Sequence, residues 1–243
     1  TLFINVNWQL SIKKQSFFLL LPKITNIMKI VDFSKENSVL NQFMLEIRDK
    51  NIQKDRLHFR KNINRIGHMM AYEISKSLNY EQTKVETPLG EAICNVPKDD
   101  VVLATIMRAG IPFHQGFLEV FDNAENAFVS AYRKYIDENT FKVHVEYLAS
   151  PRLDGKTLII VDPMLATGKS LELALHALQT KGHPKRIIAA AVIAARPAFE
   201  NLRQVIPDDA EIYCGAIDEK LNEHSYIIPG LGDAGDLLYG EKE

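Results

Sequence analysis

The chain has 243 residues and 27.6 kDa, with 46% hydrophobic and 25% charged residues, a soluble globular composition that excludes collagen-like, disulfide-framework and disordered readings. Its 29 Lys and Arg against 31 Asp and Glu leave a net charge of −2, so no global basic field recruits nucleic acid or an anionic membrane, and any anion site is local. One large domain, or one domain with an appendage, is long enough to bury a core and carry an enzyme site. Cys94 and Cys214 stand far apart, a pattern of neither metal knuckle nor disulfide scaffold that fits a reducing cytoplasm.

At the amino end, Lys13 and Lys14 precede a short apolar run, Phe17 to Leu21. The run is shorter than a signal core, no small-x-small cleavage site follows it, and it falls far short of a bilayer span. The expectation is that residues 1–27 are an upstream extension and that 28–243 form a single domain starting at Met28. From Asn41 to Leu78 apolar residues recur at spacings of three and four (Phe43, Met44, Ile47, then Ile63, Ile66, Met69, Met70, Ile74), which predicts amphipathic helices. Between them, Arg48 to Arg65 carries seven Lys or Arg against two Asp. A solvated helix face explains that stretch more plainly than a phosphate or partner site.

After Leu78 the pattern becomes βα alternation. The apolar runs Val101 to Met107, Ala127 to Tyr132, Thr157 to Val161, Ile187 to Ala195 and Glu211 to Ile217 predict strands buried on both faces of a parallel sheet. Leu171 to Leu178 and Pro197 to Val205 predict helices, the first stopped by Gly182 and Pro184 and the second by Pro207. Phe141 to Leu148 alternates like a half-exposed strand, so 134–150 reads as a hairpin or arm beside the main sheet.

Chemistry concentrates in Thr157 to Ser170, TLIIVDPMLATGKS, a strand running through an acid and a small-residue turn into the Leu171 helix. Backbone N–H groups of Ala166, Thr167, Gly168, Lys169 and Ser170 at that helix start, with the hydroxyls of Thr167 and Ser170, suit a dianionic phosphate. Asp162 at the strand's carboxyl end suits ribose hydroxyls. Gly168-Lys169-Ser170 also matches the end of a nucleotide-triphosphatase phosphate loop. The first glycine of that motif is replaced by Pro163, which has a fixed φ and no N–H, so the wide loop is not built. A βα turn with a capping Thr or Ser is the blander alternative. Arg108 and Arg133 each follow a strand and read together as a pyrophosphate clamp. Tyr226 to Asp236, YIIPGLGDAGD, is turn chemistry whose glycines let backbone approach a flat ligand.

These segments resemble the type I phosphoribosyltransferases, and among them uracil phosphoribosyltransferase. TLIIVDPMLATGKS is similar to that family's phosphoribosyl-pyrophosphate loop, ATIMRAG at 104–110 to its PILRAG, SAYR at 130–133 to its MYR, and NEHSYIIPGLGDAGD to its uracil-binding stretch, in order and spacing from Met28 onward. The resemblance implies an α/β fold with a parallel sheet, helices on both faces, a β arm and a carboxyl-terminal base-binding hood loop. It implies transfer of phosphoribose from phosphoribosyl pyrophosphate to N1 of uracil, giving UMP, with Mg²⁺ held by substrate oxygens and waters and no protein metal ligand. In those terms the donor is bound by Arg108, Arg133, Asp162, Pro163, Met164, Leu165, Ala166, Thr167, Gly168, Lys169, Ser170 and Asp233. Uracil is read by Tyr226, Ile227, Gly232, Asp233 and Ala234, and catalysis falls to Asp233, Arg108 and Arg133. A homodimer or larger assembly and a purine-nucleotide effector are implied partners, with neither nucleic acid nor membrane.

The sequence departs from the family at four places. Lys169 stands for a glycine, Thr105 for the proline of PILRAG, Ser225 for a glycine, and KYIDENT follows Arg133 in place of an acidic run. Lys169 would restrict the turn if its position required positive φ. None removes a residue given chemistry above. The alternative to an active enzyme is a nucleotide-sensing relative that binds UMP or the donor with little turnover.

Overall fold

The buried apolar runs form the middle of a seven-stranded sheet in this computed structural model, which describes residues 28–135 and 141–241, with the backbone alone at 131–135 and 141–145. In chain order the amino-terminal elements are β1 (Lys29–Asp32), α1 (Leu40–Arg48), α2 (Arg56–Ser75), β2 (Tyr80–Thr87), β3 (Gly90–Pro97), β4 (Val101–Ile106), α3 (Ile111–Leu118) and β5 (Glu125–Tyr135). Then follow β6 (Phe141–Ala149), β7 (Thr157–Leu165), α4 (Lys169–Gln179), β8 (Arg186–Ala195), α5 (Arg196–Leu202), β9 (Glu211–Asp218), β10 (Lys220–Leu221), β11 (Ile227–Ile228) and α6 (Ala234–Tyr239). Residues 1–27, expected to be an upstream extension, lie outside the described residues.

The sheet order is β1-β9-β8-β7-β4-β5-β6, parallel throughout except for the antiparallel β5–β6 edge. Alternation along the strands divides the core in two. Ile159 and Val161 of β7 face a cluster with Met44 and Ile47 of α1, Phe59, Ile63, Ile66 and Met70 of α2, and Phe113 and Phe117 of α3. Leu158 and Ile160 face the other, with Leu171, Leu175 and Leu178 of α4 and Ala198 and Leu202 of α5. Helices therefore cover both faces, as the unbroken apolar strands require. Helix α2 starts where the Asp55 carboxylate accepts the N–H groups of Leu57 and His58 at 2.9 and 3.0 Å. Its fully buried Phe59, Ile63, Ile66, Met70 and Ile74 contribute about 1.5–3 kcal/mol each by leaving water.

The structure moves several expected boundaries. Strand β7 runs to Leu165 and not to Val161, because pairs Met164–Ile193 and Leu165–Ala194 continue the ladder with β8. Pro163, Met164 and Leu165 are thus strand residues, and the turn shrinks to Ala166–Gly168. The expected arm at 134–150 is a β5–β6 hairpin whose second strand is the sheet's own edge; residues 136–140, most of KYIDENT, lie outside the described residues. Several elements were not anticipated: β1, beside β9; the separate β2–β3 hairpin, in which only Thr83, Ala92 and Val96 are even partly buried; α3; and, where Tyr226 to Asp236 read as turn alone, the β10–β11 pair and α6.

Candidate active site

Strand β4 leads to β5 on one side, while β7, its neighbour on the other, leads away to β8 and β9. The carboxyl ends of β4 and β7 therefore meet at the topological switch point, where parallel α/β sheets bind ligands. Two loops are built there.

The first is Met107 to Gly110, after β4. Met107 N–H donates to Val129 O at 2.9 Å and Gly110 N–H to Ile106 O at 3.0 Å; the Met107–Arg108 peptide is cis. A Cβ on Gly110 would sit 2.2 Å from Thr105 Oγ1 and 2.6 Å from Ile106 O, so only glycine closes this turn. Arg108 is left exposed, its guanidinium carbon 5.8 Å from the centre of the Tyr239 ring. Arg133 does not follow a strand as expected: its backbone lies within β5, opposite Val143 of β6, because the β5–β6 ladder continues to Tyr135.

The second loop is Ala166 to Gly168. Gly168 has φ +80°, and a Cβ there would meet Leu202 Cγ at 2.9 Å. Lys169 is the first helical residue of α4, so the positive φ falls on the glycine and the family departure at Lys169 leaves the turn intact. Asn201 Nδ2 donates to Thr167 O at 3.0 Å and the Thr167 hydroxyl accepts Lys169 N–H at 3.4 Å. Lys169 and Ser170 are exposed, and a cleft of about 230 Å³ opens between Thr167, Gly168, Lys169 and Gln204. Pro163 and Leu165 are buried, so they offer backbone and support; Met164 and Ala166 are half-buried. Burial pushes the Asp162 carboxyl up to about 7, against the opposing effect of Met164 N–H, which it accepts at 3.4 Å. Such a group is poised to ionise when hydroxyl donors meet it.

The hood lies over these loops. Strands β10 and β11 pair antiparallel, and the Asn222 carbonyl oxygen of the side chain accepts His224 N–H and Tyr226 N–H at 3.0 and 2.9 Å. His224 is exposed and pairs with its neighbour Glu223, well apart from a base's role. Ser225 sits at φ +65°, where the family has glycine. Asp233 caps α6 by accepting Asp236 N–H at 3.0 Å, and Ala234 N–H meets Met164 Sδ at 3.4 Å. A Cβ on Gly235 would lie 3.2 Å from Asp233 Oδ1 and 3.9 Å from Arg108 Nη2, so carboxylate and guanidinium flank one glycine. The structure thus brings together Arg108, Asp233, Ala234 and Met164, with Gly232 exposed, Tyr226 half-exposed at the rim and Ile227 buried beneath.

Comparisons with known proteins bear on the family and the fold. The chain fits the family model described as Uracil phosphoribosyltransferase over residues 34–241. The chain belongs to the uracil phosphoribosyltransferase family. A protein named uracil phosphoribosyltransferase from Porphyromonas gingivalis is 59% identical over 215 residues, covering 88% of this chain and all of that one. Another of the same name from Methanothermobacter thermautotrophicus is 38% identical over 207 residues, covering 84% and 93%. Among solved structures, the AQ2163 protein from Aquifex aeolicus superposes with a TM-score of 0.75 at 34% identity, over 87% of this chain and 98% of that one. The parallel sheet with helices on both faces is the type I phosphoribosyltransferase architecture that the motifs implied. Among the described residues no helix is long and apolar enough to cross a membrane.

Family motifs did not announce the hood's supports. Arg48, the last residue of α1, makes two 3.0 Å bonds to the carboxylate of Asp218 at the end of β9. Arg60 of α2 donates to Leu238 O of α6 at 2.8 Å. The basic stretch is therefore only partly a solvated face: two of its arginines hold the hood, while Lys50, Lys54 and Arg56 line a cleft of about 610 Å³ shared with Gly232, Asp233 and Asp236. For Asp218 a signal existed, an acid directly after an apolar run like Asp162. Tyr239 beside Arg108 had none.

Proposed function

We propose that this chain transfers the phosphoribosyl group of phosphoribosyl pyrophosphate to N1 of uracil, releasing UMP and diphosphate, with residues 28–243 acting as one domain. Family membership supports the reaction, and one observation ties it to this molecule: the hood's Ala234 rests on Met164 of the donor strand, with Arg108 and Asp233 alongside. The donor's 5-phosphate takes the Ala166–Ser170 turn, where unpaired N–H groups and the α4 dipole favour a dianion. Asp162 accepts the ribose hydroxyls. Arg108, with Arg133 from the neighbouring strand, pairs with the diphosphate.

In the reaction the bond from the anomeric carbon to the diphosphate oxygen breaks, the bond to N1 of uracil forms, and the N1 proton passes through solvent to the released diphosphate. The transition state resembles an oxocarbenium ion, as in glycoside chemistry. The chain's work is to hold the two reactants in line, neutralise the departing diphosphate and exclude water. Backbone groups of the hood, from Ile227 and from Gly232 to Ala234, match the O2, N3–H and O4 edge of uracil, with Tyr226 at the rim.

Mg²⁺ fits this site as a substrate-borne ion. The exposed Asp233 carboxylate, whose Oδ1 accepts Asp236 N–H, would meet the water shell of an ion carried in by the diphosphate. When bound, it neutralises diphosphate charge. The free thiols of Cys94 and Cys214 suit the cytoplasm, and homo-oligomerisation and a purine effector belong to the same proposal on the resemblance alone.

The test is a panel of bases with the donor and magnesium. Uracil turns over, whereas cytosine, which inverts the donor and acceptor pattern of that edge, falls by about 10⁴-fold or more, and hypoxanthine gives no product. Equal turnover of cytosine would contradict a backbone-read uracil site.

A further inference from the structure

Gly230 stands two residues before Gly232 and three before Asp233, and both of its backbone polar groups are gripped by one ion pair. Its N–H donates to Asp218 Oδ2 at 2.8 Å, and its C=O accepts from Arg48 Nη1 at 3.3 Å. Those two side chains also bond each other twice at 3.0 Å. The ring is nearly closed to solvent, with the Asp218 side chain 9% and the Arg48 side chain 24% exposed. Gly230 tolerates no alternative backbone-filling residue, because a Cβ would meet Ile227 O at 2.1 Å.

We infer that Arg48 and Asp218 are positioning residues for uracil: they fix the height and tilt of the hood backbone that reads the base, acting through Gly230 without touching the substrate. Three features carry this. The ion pair joins two elements, α1 and β9, that belong to the rigid core, through Ile47 next to Arg48 and the β8–β9 ladder that reaches Asp218. It ends on backbone, so it sets main-chain position and not a side-chain rotamer. Its fork geometry, two guanidinium nitrogens on two carboxylate oxygens with one of each shared with Gly230, is one that lysine and asparagine cannot reproduce. A base read by fixed backbone groups loses hydrogen bonds with small displacements, whereas the donor, held chiefly at the Ala166–Ser170 turn and by Arg108, feels Gly230 only indirectly, through Asp233 and the Ala234–Met164 contact. The inference rests on the uracil reading above and extends it to two residues outside the motifs.

The test compares the full-length wild type with Asp218→Asn and Arg48→Lys. Each is measured for KM of uracil, KM of phosphoribosyl pyrophosphate and amide hydrogen exchange over Gly230 to Ala234. Each variant is expected to raise KM for uracil by tenfold or more, raise KM for the donor by a clearly smaller factor, about threefold or less, and speed exchange in the hood by at least tenfold while exchange in α4 stays unchanged. Equal rises in both KM values, or a uracil KM that stays put while the hood loosens, would overturn it. Should Asp218→Asn fail to fold, Arg48→Lys carries the same readouts. A wild type that makes no UMP from uracil refutes the uracil reading instead, and unaltered hood exchange in the variants would then overturn the positioning role by itself.

Discussion

Ala234, in the hood, points its backbone N–H at the sulfur of Met164, on the donor strand, across 3.4 Å. A thioether is a weak acceptor on a flexible side chain, so the contact couples the two substrate sites without locking them. A donor bound at the β7 end, as proposed, would order it and so steady the amide that begins α6, next to the capping Asp233. Linkage then requires each substrate to tighten the other by the same factor. Calorimetry of uracil with and without a saturating, non-reacting donor analogue should show this coupling, and Met164→Leu, which keeps the volume and removes the acceptor, should reduce it by about twofold or more. Undiminished coupling in Met164→Leu would assign it elsewhere.

The Asp162 carboxyl gives donor binding a pH dependence. Burial raises its folded value from 3.8 to about 7, so in the free protein it favours the protonated form; its contribution to stability is complete below the unfolded value and is lost as pH rises through about 7. Ribose hydroxyls donate best to the ionised form. Donor affinity should therefore weaken as pH falls below 7, by up to about tenfold per unit, and Asp162→Asn should bind more weakly at pH 8 with a flatter profile. An identical profile in the variant would exclude Asp162 as the titrating group.

Ser225 is the one non-glycine residue at positive φ among the described residues, at +65°. An L side chain in that region costs roughly 1–2 kcal/mol. Ser225→Gly should raise stability by about 1 kcal/mol, lifting Tm by roughly 2–4 °C, because Asn222 already fixes the turn through its bonds to His224 and Tyr226. A fall in Tm would mean that the serine contributes a stabilising contact.

The donor turn separates the roles of its neighbours. Gly168→Ala puts a Cβ at positive φ and 2.9 Å from Leu202, a strain of about 1–3 kcal/mol, and should raise KM for the donor by about tenfold. Lys169→Gly leaves the turn as built and removes one exposed cation, so donor KM should rise by less, about two- to threefold at low salt. Steady-state kinetics of both variants decides the point; a larger effect at Lys169 would contradict the assignment of the turn to Gly168.

Much of this fold is legible in the sequence. Strands β4, β5, β7, β8 and β9 show as continuous apolar runs because both their faces are buried, and helices α1, α2 and α4 show as stripes because one face is. The hairpin β2–β3 stayed hidden for the converse reason: Val85, Ile93 and Leu89 are exposed among charged neighbours, so neither burial nor alternation marks it, although Pro88-Leu89-Gly90 is a turn signal. The β7 boundary was missed because Pro163 reads as a strand terminator, while β8 continues to pair past it with Met164 and Leu165. Asp233, Arg108 and the donor turn were visible as motifs. Arg48 and Arg60 were not, since their partners lie 170 or more residues away in sequence and local pattern carries no trace of such pairs; Asp218 showed only as an acid directly after an apolar run.

The central claim is uracil-dependent phosphoribosyl transfer at a site where Asp233 meets the donor. It is tested most directly by the initial rate of UMP formation from uracil, phosphoribosyl pyrophosphate and magnesium, for the wild type and for Asp233→Asn. Asparagine also caps helices well, so α6 and the fold should survive while the carboxylate's charge is lost. The account predicts UMP from the wild type and a fall in kcat of about 10²-fold or more in the variant. A wild type that forms no UMP, or a variant as fast as the wild type, would contradict it.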